Sequence, residues 1–224
     1  MTGRNAAALI TDGVLIISAL FVVALLVRRE ARADAGSRPS NAHVPAALWE
    51  ESTAGGHVLG SASAPVKVVE FGDLQCPACA VMNTEVRYLL TNYAGQVAFV
   101  WHHWPLAVHP QAVAAALAAE CAAAQGRFDA FSDTLFAEQQ WIGVDNWIDF
   151  AREAGVPDSA AFERCVGQRM YLDRIKHDMM LARKVGVAAT PSFLIEGQLF
   201  SGLSATNLKS RVRDAIDKYD KVSR

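Results

Sequence analysis

The sequence predicts an α/β domain in which a strand–helix–strand unit precedes a block of helices, a β-hairpin and a final helix. Two short runs rich in β-branched residues, at 65–71 and 97–104, flank a helical stretch. A strand pattern returns only at 190–197, after a long helical block. Strand–helix–strand order is typical of a βαβ unit. We therefore predict a sheet with a helical subdomain inserted after its second strand.

Each segment of the strand–helix–strand unit has its own sequence signal. "PVKVVEF" (65–71) is a buried-strand pattern, and "CPACAVMNTEVRYLLTNY" (76–93) places its apolar residues at helical spacing. "VAFVWHHW" (97–104) is the second strand, and Pro105 ends it because proline cannot continue a ladder.

The helical insertion is predicted over about residues 107–187. Its first helix, "HPQAVAAALAAECAAAQG", is alanine-rich and ends on Gly126, a residue type that favours helix C-termini. Four further helical segments follow: "FDAFSDTLFAEQQ", "VDNWIDFAREAG", "PDSAAFERCVGQ" and "YLDRIKHDMMLARKVG".

The C-terminal elements complete the sheet. "TPSFLIEG" and "LFSG" are strand patterns separated by a turn at Gly197-Gln198. A last helix is predicted over 205–219, with Leu208, Val212 and Ile216 at helical spacing.

An apolar segment near the N-terminus predicts one transmembrane helix. Residues 13–27, "GVLIISALFVVALLV", carry no charge, and residues 6–27 would span roughly 33 Å as a helix, enough to cross a bilayer core. The alternative is a cleaved signal peptide, with a cleavage site at Ala31-Arg32-Ala33 or Ala33-Asp34-Ala35. Arginines directly after the apolar run disfavour cleavage, so we predict a signal anchor over 1–29.

The segment after the anchor predicts a tether. Residues 30–56 mix Ala, Ser, Pro, Gly and charged residues without a periodic pattern, which is typical of a linker, and the compact domain is predicted over 57–224. Arg28 and Arg29 follow the apolar run, so the count of basic residues alone would direct this domain to the cytoplasm.

Composition excludes some classes of function. The net charge is −2 and no long basic run is present, so the chain has no electrostatic basis for binding nucleic acid. The number of cysteines, four, is even, but a chain of 224 residues is too long to need a disulfide scaffold.

Cys76 and Cys79, in "FGDLQCPACAVM", are the candidate chemical centre. A structural zinc site needs a second close pair of ligands, and a c-type haem needs a histidine after the second cysteine, where Ala80 stands. A disulfide closing so small a loop stabilises little. Redox exchange fits better, because Cys76 precedes a helix whose unpaired N–H groups favour a thiolate. Pro77 suits the first helical position.

These segments resemble the thioredoxin superfamily and, with the helical insertion, its membrane-anchored bacterial DsbA-like branch. The resemblance rests on "VVEFGDLQCPAC", "VAATPSF", "HHWPLAVHPQA" and "AAECAAAQGRFDAFSDTLF". It implies a thioredoxin-like fold from about residue 60 onward. It also implies a buried acid at Glu70 beneath the cysteines, and a cis-proline at Pro191 beside Cys76.

Ala78 departs from the best-known DsbA proteins, and Thr190 leaves the direction of thiol–disulfide exchange open. Those proteins have histidine where this chain has Ala78, so we expect a higher thiol pKa and a less oxidising disulfide here. Thr190, before the proline, is a type also seen in reductases and isomerases of the superfamily. We expect Pro77, Ala78, Thr190 and Pro191 to contact substrate, with backbone pairing to an extended chain.

Other residues carry weaker expectations. Glu70 inside a buried strand is costly unless functional, and a raised pKa would let it exchange a proton with Cys79. His102 and His103 are neighbours on a strand and point to opposite faces, so at most one can face Cys76 and we expect no metal site.

Cys121 and Cys165 are either two buried thiols or a structural disulfide. The resemblance favours the disulfide, because many anchored DsbA-like proteins have cysteines in these segments. An extracytoplasmic location would let such a bond persist.

Together these features predict an anchored thiol:disulfide oxidoreductase that needs no cofactor. Its domain would face the periplasmic side of the inner membrane and introduce disulfides into reduced exported proteins. A membrane redox partner would reset Cys76 and Cys79. The alternatives are a reductase or isomerase of the same fold and a copper-binding chaperone that uses both thiols as soft ligands.

Overall fold

The structure is a computed structural model that describes residues 43–223. The predicted transmembrane segment, residues 6–27, lies outside the described residues. Within residues 43–223, every helix is too short or too polar to cross a bilayer.

The order of elements follows the prediction, with two additions at the start. The helices are α1 (Ala46–Ala54), α2 (Pro77–Asn92), α3 (Ala112–Ala123), α4 (Phe128–Ala137), α5 (Trp147–Glu153), α6 (Ser159–Gly167), α7 (Leu172–Val185) and α8 (Ala205–Val222). The strands are β1 (His57–Gly60), β2 (Val66–Gly72), β3 (Val97–His103), β4 (Ser192–Ile195) and β5 (Gln198–Ser201). The predicted α/β arrangement, with helices inserted after the βαβ unit, is therefore confirmed.

The described strands form one mixed sheet in the order β1-β3-β2-β4-β5. β2 and β3 are parallel, with Glu70 opposite Trp101, and β4 runs antiparallel to β2, with Glu70 opposite Phe193. This register places the start of β4 beside the end of β2, where the candidate cysteines follow.

The sheet is covered on both faces. Val68 contributes to a large core that includes residues of α2, α8 and the inserted helices, whereas Val69 and Phe71 pack on the opposite face with residues of α7. Alternation along β2 therefore puts Glu70 on the same face as Val68 and α2. α7, although part of the predicted insertion, forms a layer directly on the sheet.

The prediction of a linker over residues 30–56 is wrong in its last part. α1 lies within it, and Ser52 is fully buried. The main-chain oxygen of Ser52 accepts a hydrogen bond from Nε2 of the buried His102 at 2.8 Å. α1 has no strong apolar face of its own, so its sequence did not indicate a helix; packing against α7 and the sheet stabilises it.

Candidate active site

Cys76 lies at the N-terminus of α2, between the strand and the helix. Its N–H donates to the carbonyl of Asp73 at 3.0 Å, and its carbonyl accepts the N–H of Ala80 at 3.2 Å. Pro77 occupies the first helical position, where a missing N–H costs nothing. Cys76 is 6% exposed, and the neighbouring Pro77 and Ala78 are exposed. The turn therefore places Cys76 directly beneath the exposed Pro77 and Ala78, close to the surface of the domain.

The environment of Cys76 stabilises its thiolate. Hydrogen bonding from the Cys79 thiol is the largest effect that lowers the pKa of Cys76 to about 5. Burial opposes it, while the N–H groups of Cys79 and Ala78 add to it. A low pKa thus arises without a histidine at position 78, because donors at the helix N-terminus supply the stabilisation.

Cys79 has the opposite character. It is fully buried, and burial is the main reason that its pKa is raised above the ordinary value. The N–H of Asp73 donates to its sulfur at 3.5 Å. Both cysteines are free thiols in the structure. One sulfur is thus prepared as a thiolate and the other as a protonated thiol.

The Thr190–Pro191 segment closes the site from the other end of the chain. The Thr190–Pro191 peptide bond is cis, and the Cys76 thiol lies 3.8 Å from the carbonyl oxygen of Thr190. This contact joins residues 114 apart in sequence. The pairing of β4 with β2 creates it. The resemblance implies Pro191 beside Cys76, and the contact in the structure is with the carbonyl of the preceding residue, Thr190.

Glu70 is buried at 3% exposure on the face that carries α2. Burial raises its pKa to about 8, and the charge of Arg87 only partly opposes this. Its Oε1 has no hydrogen-bond partner among the described residues. Negative charge on Glu70 is one of the causes that raise the pKa of Cys79. A neutral Glu70 therefore carries a proton within electrostatic reach of the buried thiol.

Polar side chains that the sequence did not single out hold the active-site turn, residues 73–76. Nε2 of Gln139 donates to the carbonyls of Leu74 and Cys76 at 2.9 and 3.1 Å. The Asp73 carboxylate accepts the N–H of Gln75 at 2.8 Å. Asp73 lies in the segment "FGDLQCPACAVM", so its place three residues before Cys76 could have suggested a role in the site. No sequence pattern indicated a role for Gln139.

His102 and His103 point to opposite faces, and both are buried. Nδ1 of His102 lies 2.8 Å from a carboxylate oxygen of Asp178 on α7. Nε2 of His103 lies 3.2 Å from Glu120, on the other face. These contacts place each ring next to a buried carboxylate within the fold.

His57, His103 and Glu120 bring their ligand atoms within 4.8 Å of one another. Nε of Arg174 already lies 2.8 Å from the carboxylate oxygen that faces the two histidines. The indole N–H of Trp101 donates to Nδ1 of His103, so a neutral His103 carries its proton on Nε2. Nε2, the nitrogen that faces Glu120, then carries a hydrogen and has no lone pair to offer a cation. A cation-compensated carboxylate with such a donor fits an ion-pair network better than a metal site.

Cys121 on α3 and Cys165 on α6 are joined by a disulfide, with their Cα atoms 5.8 Å apart. Cys121 is 1% exposed and Cys165 is 7% exposed. The bond ties two helices of the insertion together.

The chain matches the thioredoxin family over residues 52–218. It belongs to the thioredoxin family. A thioredoxin-like oxidoreductase from Silicibacter pomeroyi DSS-3 is similar in structure, with a TM-score of 0.64 and 29% identity over 80% of this chain and 99% of that chain. DsbA2 from Pseudomonas aeruginosa has a TM-score of 0.55 and 28% identity, over 69% of this chain and 91% of that chain.

BdbD from Bacillus subtilis shares the fold, with a TM-score of 0.65 and 23% identity over 73% of this chain and 94% of that chain. The predicted thiol:disulfide oxidoreductase of the thioredoxin superfamily is confirmed, and the structural neighbours include DsbA-type proteins. The roles assigned to the individual site residues remain predictions.

Curated relatives are much longer proteins. The chain is 38% identical over 147 residues to the Na(+)/H(+) antiporter NhaA 3 of Salinispora tropica, a match that covers 65% of this chain and 22% of that protein. The chain thus spans about a fifth of the length of the curated relatives that it matches.

Proposed function

We propose that this protein introduces disulfides into reduced exported proteins through Cys76 and Cys79. The observation that carries the proposal is the contrast between the two thiols: Cys76 is stabilised as a thiolate at the helix N-terminus, and Cys79 is buried and protonated. A stabilised thiolate favours the reduced form, so the corresponding disulfide is a strong oxidant.

The reaction begins with the Cys76–Cys79 disulfide. A substrate thiolate attacks Cys76 Sγ, the Cys76–Cys79 bond breaks, and a disulfide between substrate and Cys76 forms. Cys79 leaves with the electron pair and takes a proton, for which the protonated Glu70 is the proposed donor. A second substrate thiolate then attacks the substrate sulfur, and Cys76 leaves as a thiolate. Two electrons pass from the substrate dithiol to the enzyme.

The substrate surface of this proposal consists of Pro77, Ala78, Thr190 and Pro191. Pro77 and Ala78 are exposed beside Cys76, and the Thr190 carbonyl lies next to the sulfur. An extended peptide can pair with main-chain groups at this position. A membrane redox partner that accepts the two electrons would reoxidise Cys76 and Cys79 to the disulfide.

The test is the reduction potential of the Cys76/Cys79 couple, measured by equilibration with glutathione. We expect a value well above that of thioredoxin, in the range of about −120 to −180 mV. A value near the thioredoxin potential of about −270 mV would assign the protein to the reductase alternative. Tight copper(I) binding without any exchange activity would support the chaperone alternative.

The potential also has an expected pH dependence. Above a Cys76 pKa of about 5 the reduced enzyme holds one proton on the pair, and below it two. The potential should therefore fall by about 30 mV per pH unit above that pH and by about 60 mV per unit below it. A single slope across pH 5 would contradict the low thiol pKa.

The proposed location is the extracytoplasmic side of the inner membrane. The apolar residues 6–27 supply the anchor, and the Cys121–Cys165 disulfide suits an oxidising compartment. Arg28 and Arg29 oppose this orientation, but a long domain can be translocated despite such charges. Protease added to cells with an opened outer barrier and an intact inner membrane should remove the domain. Full protection would place it in the cytoplasm.

A further inference from the structure

The Asp73 carboxylate is buried three residues before Cys76 and accepts three hydrogen bonds. One oxygen accepts the N–H of Gln75 at 2.8 Å. The other accepts the N–H of Leu106 at 2.9 Å and Nδ1 of His109 at 2.7 Å. The carboxylate thus joins the active-site turn to the segment that leads into α3.

The main chain of Asp73 contacts both cysteines. Its N–H donates to Cys79 Sγ at 3.5 Å, and its carbonyl accepts the N–H of Cys76 at 3.0 Å. A contact that fixes the orientation of Asp73 therefore also fixes the N–H donor to Cys79 Sγ and the position of the Cys76 main chain.

Of the donors to this carboxylate, His109 is the side chain and the others are main-chain groups. A carboxylate only accepts, so Nδ1 of His109 must carry the hydrogen in this contact. The His109 side chain is 20% exposed, so it can be replaced without opening the core. The same segment contacts the turn again, because the N–H of Gln111 donates to Oε1 of Gln75 at 2.7 Å.

Loss of the His109 donor would leave a buried carboxylate with two main-chain bonds. A buried charge with an unfilled position is costly, and the turn would shift to find another donor. The less compensated negative charge would also lie next to a dithiol that functions through a thiolate, which like charge disfavours.

We propose that His109 is a positioning residue: its bond to Asp73 holds the active-site turn in the geometry that makes the Cys76–Cys79 disulfide oxidising. This inference rests on the proposed exchange function, but it concerns the thiol pair itself and can be measured without a substrate. His109 does not touch the reacting sulfurs and acts through Asp73.

The test compares His109→Ala with His109→Asn, whose side-chain amide can donate to Asp73 from nearly the position of Nδ1. Thiolate absorbance gives the ionisation of Cys76, and equilibration with glutathione gives the oxidising strength. In His109→Ala we expect the thiol to ionise at higher pH, with a loss of oxidising equilibrium constant of about 3–10-fold. His109→Asn should stay within about twofold of the wild type.

His177→Ala is the matched control, since that histidine lies on α7, is 55% exposed and, within residues 43–223, forms its one ion-pair contact with Glu51, at 3.8 Å. It should leave both readouts unchanged. The proposal is overturned if folded His109→Ala keeps the wild-type thiol ionisation and equilibrium constant. It is equally overturned if His109→Asn loses as much as His109→Ala. A wild-type protein that fails to oxidise substrates would instead refute the proposed function.

A measurement on the wild type applies even if His109→Ala does not fold. Coupling between two sites is reciprocal, so reducing the disulfide must alter the environment of His109. We expect the Nδ1 resonance of His109 to shift between the oxidised and reduced proteins, while that of His177 stays constant. An unchanged His109 resonance would refute the proposal.

Discussion

The two cysteine pairs of this chain differ in sequence spacing and in surroundings. Cys76 and Cys79 are free thiols at the start of one helix, among N–H donors and beside Thr190. Cys121 and Cys165 are 44 residues apart and join two helices of the insertion. The first pair has one sulfur with a lowered pKa and one with a raised pKa. The second is a bonded pair, and both of its cysteines are buried in the core.

The difference shows that environment, more than the presence of a disulfide, determines what a cysteine pair does. A bond that closes a short loop adds little stability, so the first pair is free to open and close. A bond that links distant segments constrains the unfolded chain and suits a structural role. The following predictions test this division, beginning with the largest expected effect.

Removal of either active-site thiol should separate their roles. Cys76→Ala should lower disulfide exchange at least about a thousandfold, because the attacked sulfur is lost. Cys79→Ala should accumulate mixed disulfides when its Cys76 thiolate attacks a substrate disulfide, since Cys79 can no longer attack Cys76 Sγ and release the substrate. Non-reducing electrophoresis detects these adducts. Adducts that form in Cys76→Ala and require Cys79 would reverse the assignment.

Removal of the second pair should change stability and leave exchange intact. Replacing both Cys121 and Cys165 by alanine should lower the free energy of unfolding by about 4 kcal/mol, the value expected for a loop of this length. Guanidinium titration measures it, and exchange kinetics of the same variant provide the control. Thiol counting on denatured, fully oxidised wild-type protein should find no free thiol. Two free thiols would show that the second pair is not bonded.

Glu70→Gln should stabilise the protein at alkaline pH. Its folded pKa of about 8 lies above the ordinary value of 4.5, so the glutamate's contribution to stability is complete below pH 4.5 and is lost as pH rises through 8. Above pH 8 the glutamine variant should therefore be more stable by about 2–4 kcal/mol, with little difference near pH 4. Urea titrations at both pH values measure this. If Glu70 donates a proton to Cys79, the variant should also form the mixed disulfide more slowly.

Gln139→Ala should have the smallest effect. It removes two hydrogen bonds to the active-site turn, each worth about 0.5–1.5 kcal/mol. We expect exchange to slow about two- to fivefold, with a modest loss of stability. Gln140→Ala, at the exposed neighbouring position, is the matched control. Equal behaviour of the two variants would show that Gln139 does not hold the turn.

Much of the architecture could be predicted because it depends on local patterns. Short runs of β-branched residues indicated β2 and β3, and the proline after Cys76 indicated the start of α2. By contrast, α1 and β1 were missed, since neither has a strong pattern of its own. Both are stabilised by neighbours that are distant in sequence: β1 pairs with β3, and α1 packs on α7 and the sheet.

The sequence by itself determined the chemistry: two thiols at a strand–helix junction, a glutamate inside a buried strand and a proline before a late strand. Only the tertiary structure decided the distances and contacts between those groups, because the pairing of β4 with β2 brings Thr190 next to Cys76. The bonds from His109 to Asp73 and from Gln139 to Cys76 likewise depend on how the insertion packs against the turn. Such bonds join groups tens of residues apart in sequence, and their energy depends on burial and distance. No local pattern in the sequence encodes either quantity.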